Sequence, residues 1–311
     1  MFANKGLPGF IFEKYGLSRN FSVKFTISGR SAAWFSAPAW GAGGRRFKSR
    51  RPDSVFGCLL LILLTNDDGI DSEGLISLKD HLSQQHEVCA IAPERERTCV
   101  GHAITIHKPL RIKETGKGVF STNGTPADCV LLGARVLLRQ KKPDLVISGI
   151  NKGPNMGQDV NYSGTVAAAK EGAFLGINSM AISISAHTDY LFNDAITIIV
   201  EIIEKTRGII FPDRTFLNIN IPNIPRHRLK GFMVTRLGKR IYNDTVIERV
   251  DPRGCNYYWI GGNGVSHEDI AGTDFYAVEK DYVSITPLDP DITGNNSIDI
   301  FKKHFGRSPG A

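Results

Sequence analysis

Two adjacent carboxylates, Asp67 and Asp68, follow a dense apolar run in the segment Thr65-Asn66-Asp67-Asp68-Gly69. Neighbouring acids at the end of a buried strand repel each other unless a cation or strong donors compensate. The same residues are also good turn chemistry, and either acid could cap the next helix. A second polar segment carries the charge run Glu94-Arg95-Glu96-Arg97 and then Thr98. Such a run ordinarily marks a solvated loop, and Thr98 either turns the chain or offers a hydroxyl oxygen. The third segment, Gly149-Ile150-Asn151-Lys152-Gly153-Pro154-Asn155, leads on to Asn161-Tyr162-Ser163-Gly164-Thr165. Its glycines let backbone N–H groups approach a ligand closely. Ser163, Gly164 and Thr165 open an expected helix, whose free N–H groups and dipole favour an anion such as phosphate. The plainer reading is a Gly/Asn-rich surface loop before a well-capped helix.

Taken together, Asp67, Asp68, Thr98 and Asn151 can supply oxygen from three loops, with no Cys–His cluster beside them. An all-oxygen set suits a hard cation, Mg²⁺ or Mn²⁺ or else Ca²⁺, better than zinc or copper. A metal next to an anion-binding helix end points to phosphoryl chemistry.

The elements that must position these groups alternate. Cys58 to Leu64 is continuously apolar, as a strand buried on both faces of a parallel sheet should be. A helix is expected from Leu75 to about Gln84, then strands over Val88 to Ala92, Leu145 to Ser148 and Met180 to Ser185. Ala127 to Arg139 reads as a helix with Thr125 as N-cap and Pro126 in its first turn, and a further helix should run from near Ser163 to Phe174. Alternating strand and helix predicts an α/β fold, Rossmann-like and doubly wound on a mostly parallel sheet. In such sheets ligands bind outside the carboxyl ends of the strands, where all three polar segments fall. After residue 211 short β-like pieces, Phe216 to Ile221, Gly231 to Arg236, Tyr257 to Ile260 and Tyr282 to Ile285, predict hairpins packed on the core or reaching a neighbouring subunit. The organisation expected is a basic extension over 1–57 and one domain over 58–311, with a core at 58–210 and a C-terminal hairpin or arm region at 211–311.

The net charge of +7 suggests a nucleic-acid binder until it is located. Residues 1–57 hold ten basic side chains and two acids, a balance of +8, which leaves the other 254 residues at −1. The folded part is therefore no nucleic-acid platform. Three readings fit the extension: a start codon placed too far upstream, an organelle-targeting segment, or a basic arm that touches a polyanion. The longest apolar run falls far short of the roughly 20 residues that span a bilayer, so no membrane partner is expected. Five scattered cysteines without a CxxC pair favour a reducing compartment. A cytoplasmic location follows, with organelle targeting left open.

Leu63-Leu64-Thr65-Asn66-Asp67-Asp68-Gly69-Ile70 resembles the N-terminal signature of the SurE family. The likeness continues through Thr122-Asn123-Gly124-Thr125-Pro126-Ala127-Asp128 and is densest over Pro143-Asp144-Leu145-Val146-Ile147-Ser148-Gly149-Ile150-Asn151. Tyr162-Ser163-Gly164-Thr165-Val166-Ala167-Ala168-Ala169 follows at the family spacing, and Gly272-Thr273-Asp274-Phe275 resembles the family's C-terminal half. The resemblance implies a swapped-arm homodimer or homotetramer with one divalent metal cation per subunit, and hydrolysis of nucleoside 5′-monophosphates and often 3′-monophosphates. It carries the metal ligands onto Asp67, Asp68, Asn151 and the hydroxyl of Thr98. The family usually has Ser and a small residue where this chain has Thr98-Cys99, and Asp where it has Glu94. The 57-residue extension has no counterpart.

The expected scheme follows. Asp67, Asp68 and Asn151 form the catalytic set, completed as a metal site by Thr98. Asn155, Ser163, Gly164 and Thr165 hold the phosphate. His102 is the nearest candidate by sequence for protonating the leaving group, though a loop histidine is more often incidental. An aspartyl-phosphate route is disfavoured, because such enzymes place a second Asp two residues on, where Gly69 stands. A non-catalytic nucleotide-binding scaffold on the same fold is the rival from another class.

Overall fold

The structure, a computed structural model, describes residues 59–241, 246–260 and 266–306. The basic extension and Cys58 lie outside the described residues. The elements run β1 (Leu61–Thr65), α1 (Glu73–Leu82), β2 (Glu87–Pro93), β3 (Ile112–Gly116), β4 (Val119–Thr122), α2 (Pro126–Leu132), β5 (Leu145–Lys152), α3 (Gly164–Phe174), β6 (Asn178–Ser185), α4 (Phe192–Thr206) and β7 (Phe216–Pro222). They continue with β8 (Gly231–Val234), β9 (Arg240–Ile241), β10 (Val246–Val250), β11 (Asn256–Ile260), β12 (Ser266–His267), α5 (Asp274–Glu279), β13 (Tyr282–Leu288) and α6 (Asn295–Phe305).

Nine strands form one sheet in the order β3-β4-β2-β1-β5-β6-β7-β13-β8. From β4 to β7 every pairing is parallel, and antiparallel pairings join β3 to β4 and β13 to β7. The period of two in β1 sorts its side chains between two layers. Ile62 and Leu64 pack with Leu75 and Leu78 of α1 and Ile196 and Ile199 of α4. Leu63 packs with Cys129 and Val130 of α2 and Ala168 of α3. A sheet covered on both faces needs strands apolar throughout, and all five residues of β1 are buried.

The expected α/β class holds, with differences that have physical causes. The α2 helix gives way at Gly133 to a wider π turn, Gly133–Leu137, instead of running as one α-helix to Arg139. The C-terminal region is less separate than expected, because β7, β13 and β8 are strands of the central sheet. Asn218, Asn220 and Ser284 put polar side chains into these strands, yet each is fully buried. The true excursion is the antiparallel hairpin β10–β11, where Val246, Tyr258, Trp259 and Ile260 are exposed.

β1 has β2 on one side and β5 on the other. The chain leaves β1 in one direction and later returns to its opposite flank, so the β1/β5 boundary is the switch point of the sheet. The crevice there opens beyond the carboxyl ends of both strands. Asp67 and Asp68 lie just past one end, and Asn151 lies at the other.

Candidate active site

The turn after β1 is built by Asn66, which is wholly buried. Its amide donates to the Gly69 carbonyl at 3.0 Å and to Ser72 Oγ at 2.5 Å, and its oxygen accepts from the Gly69 N–H at 3.2 Å. Ser72 in turn caps α1 by accepting from the Leu75 N–H. Gly69 has φ +101°, and a Cβ there would lie 3.2 Å from the Arg95 carbonyl carbon. A glycine is needed both for the backbone angle and for the loop that crosses it.

Asp67 is 5% exposed. Its Oδ1 accepts from Thr165 Oγ1 at 2.5 Å, and its carbonyl accepts from the Arg97 N–H at 2.7 Å. A Cβ at Gly164 would stand 2.8 Å from Asp67 Oδ2, so the first turn of α3 is pressed against this carboxylate. Burial pushes the Asp67 pKa up, opposed chiefly by the hydrogen bond from Thr165. Asp68 is pushed up to about 6, first by burial and then by the negative charge of Asp67, while Lys152 pulls the other way. Its Oδ2 is buried and has no hydrogen-bond partner among the described residues.

The other two expected ligands come from the end of β5 and from the loop after β2. The sheet register shifts between Ser148 and Asn151, a bulge that re-aims the side chains at the end of β5. Asn151 donates its amide to the Gly153 carbonyl at 2.8 Å, which leaves its oxygen as the group able to face a cation. Thr98 is exposed, and its hydroxyl donates to Glu96 Oε1. A cavity of about 280 Å³ opens over this corner, walled by Asp68, Gly69, Ser72, Arg95, Glu96 and Lys152 among others.

The expected phosphate cradle is only partly free. Thr165 is fully buried and spends its hydroxyl on Asp67. Asn155 is knotted into the sheet: its N–H donates to Asn220 Oδ1, its amide donates to Ser183 Oγ, and its carbonyl accepts from Asn218 and Asn220. A carboxylate already buried at a helix N-terminus takes the nearest donors before an outside anion can. Ser163 is the N-cap of α3 and accepts from the Val166 N–H at 3.1 Å. An accepting hydroxyl keeps its own hydrogen to give, so Ser163 and the Gly164 backbone are the parts of the cradle that suit an anion.

His102, the nearest candidate by sequence for protonating the leaving group, is paired with α3. Its Nε2 lies 2.8 Å from Glu171 Oε2, and its ring packs near Phe174. Glu171 is seven residues along α3 from Gly164, roughly 10 Å at the helical rise. The pair pins the 98–102 loop to α3, helped by the Gly101 N–H donating to the Tyr162 carbonyl. This pairing has no signature in the sequence, and Asn66, Glu96 and Lys152 stand there only as members of their motifs. Only Asn66 carried a local signal, a side-chain amide three residues before a glycine in a turn.

Among the described residues no three His, Cys, Asp or Glu side chains are grouped to hold a metal ion. Any ion at the acid pair must therefore complete its shell with hydroxyl, amide or water oxygen. That donor chemistry and the unpartnered Asp68 oxygen fit a hard cation. No helix among the described residues is long and apolar enough to cross a membrane.

Fold and site together define a doubly wound α/β protein with a paired-acid crevice at its switch point. The Survival protein SurE family model matches residues 62–244. The 5′-nucleotidase SurE of Geotalea daltonii is 46% identical over 245 residues, covering 78% of this chain and 98% of that protein. The 5′-nucleotidase SurE of Aquifex aeolicus is 44% identical over 232 residues, 74% of this chain and 92% of its own length. The crystal structure of the SurE protein from Aquifex aeolicus matches with a TM-score of 0.71 at 41% identity, over 78% of this chain and 99% of that one. The chain belongs to the SurE family.

Proposed function

We propose that this chain is a divalent-cation-dependent phosphomonoesterase that hydrolyses nucleoside 5′-monophosphates, and 3′-monophosphates as well, to nucleoside and phosphate. The observation that carries the reading is the buried, unpartnered Asp68 oxygen beside buried Asp67 at the switch-point crevice. The 5′-nucleotidase activity for which the relatives are named agrees with it. Asp67, Asp68, Thr98 and Asn151 would hold one Mg²⁺ or Mn²⁺ per subunit. When bound, such a cation supplies Lewis acidity toward a phosphate oxygen.

The chain's own groups do the rest. Thr165 fixes the Asp67 carboxylate, and Asn66 shapes the turn that presents Asp68. Ser163 and the Gly164 backbone, at the positive end of α3, would hold phosphate oxygens. Lys152, on the cavity wall, adds a positive charge where negative charge accumulates in the transition state. Asn155 serves by holding the loop that precedes these residues, through the contacts already described.

The assembly proposed is a homodimer or homotetramer, for which the exposed apolar side chains of the β10–β11 hairpin offer a contact surface; the location proposed is the cytoplasm. The test is release of inorganic phosphate from adenosine monophosphate with Mn²⁺, before and after chelation. Turnover abolished by chelator and by Asp67→Asn supports the enzyme. Nucleotide binding without turnover would support the non-catalytic scaffold instead.

A further inference from the structure

Resting on the cation site proposed above, we infer that Glu96 is a positioning residue for that site: its carboxylate takes the Thr98 hydrogen so that the hydroxyl oxygen is left to face the ion. A threonine hydroxyl has one hydrogen and two lone pairs. To serve a cation it must turn a lone pair inward, and its hydrogen then needs an acceptor on the other side. Glu96 Oε1 is that acceptor, two residues away on the same loop. A carboxylate acceptor also raises the electron density on the oxygen it binds, which makes the hydroxyl a better ligand.

The loop is held where this can work. The Arg97 N–H donates to the Asp67 carbonyl at 2.7 Å, and the Glu96 nitrogen lies 3.3 Å from the Cβ position at Gly69. Glu96 therefore sits between two backbone contacts with the acid-bearing turn, and it walls the same cavity as Asp68. Its negative charge reaches both Asp67 and Asp68, where it adds to the field that favours a cation. In sequence the residue is one letter of a charge run. In the fold its charge has a direction.

The test is a titration of the full chain with Mn²⁺, read by electron paramagnetic resonance of the free ion, which needs no turnover. Glu96 is exposed, so its replacement should leave the fold intact. Glu96→Gln should weaken Mn²⁺ binding by about tenfold, the low end for outer-sphere partners of metal ligands. If Glu96 acts through the hydroxyl, the same change in a Thr98→Ala background should cost about threefold or less, because interacting residues are not additive. Affinity within about twofold of the unmodified chain, or an equal loss with and without Thr98, would overturn the inference. Asp67→Asn, run in parallel, separates the two levels. Lost Mn²⁺ binding in Asp67→Asn with none lost in Glu96→Gln overturns the role of Glu96 alone, whereas full binding in Asp67→Asn overturns the cation site with it.

Discussion

Replacing Asp68 by Asn should make the protein more stable when no divalent cation is present and inactive when one is. Burial and the neighbouring Asp67 charge raise the Asp68 pKa from 3.8 to about 6. A carboxylate whose pKa is raised on folding costs nothing below its unfolded value, since both states are then protonated. The cost grows between pH 3.8 and about 6 and is complete above that. A rise of about two pH units corresponds to about 3 kcal/mol, and solvent reaching this half-buried group reduces that to about 1–2 kcal/mol. Asn keeps the shape and carries no charge. In chelator at pH 7.5, Asp68→Asn should therefore gain about 1–2 kcal/mol in urea unfolding, or ~2–6 °C in Tm, and the gain should vanish by about pH 4. With Mn²⁺ added the order reverses, because only the unmodified chain gains from ligand binding. A mutant less stable than the unmodified chain in chelator at pH 7.5, or a difference that does not change with pH, would mean that no buried charge at Asp68 destabilises the fold.

Three further outcomes are expected. Gly164→Ala forces a methyl to within 2.8 Å of Asp67 Oδ2, and displacing that ligand should lower kcat/KM for adenosine monophosphate by about a hundredfold, as misplacement by an ångström does. Thr165→Val removes the hydroxyl that holds Asp67; Mn²⁺ affinity by calorimetry should fall by about tenfold, and Thr165→Ser should restore most of it. His102→Ala should lower kcat by less than about tenfold while lowering Tm, since its partner is Glu171; a general acid would cost about a hundredfold or more, and steady-state kinetics decides between them.

The parallel core was legible because its strands are buried on both faces and so are apolar without interruption, as in Leu61 to Leu64 and Leu145 to Ile147. The position of the three polar loops followed from the rule for open α/β sheets, and the structure puts two of them at the switch point. What the sequence concealed is polar burial. Asn218 and Asn220 stand inside the expected Phe216 to Ile221 strand, yet nothing local shows that both donate to the Asn155 carbonyl within the sheet. The same blindness affected the cradle. Thr165 looked like a donor for an outside anion, but a buried carboxylate ninety-eight positions earlier in the chain claims it. The His102–Glu171 pair depends on the 98–102 loop lying against α3, sixty-nine positions away in the chain, which no local pattern encodes.

The proposed chemistry requires oxygens of Asp67, Asp68, Thr98 and Asn151 to converge on one cation. Crystals grown with Mn²⁺ and measured at the manganese absorption edge test it without reference to turnover. A single strong anomalous peak per chain is expected, about 2.0–2.4 Å from oxygens of these four residues. A peak that shares none of them, or crystals saturated with Mn²⁺ that show no peak at the acid pair, would contradict it.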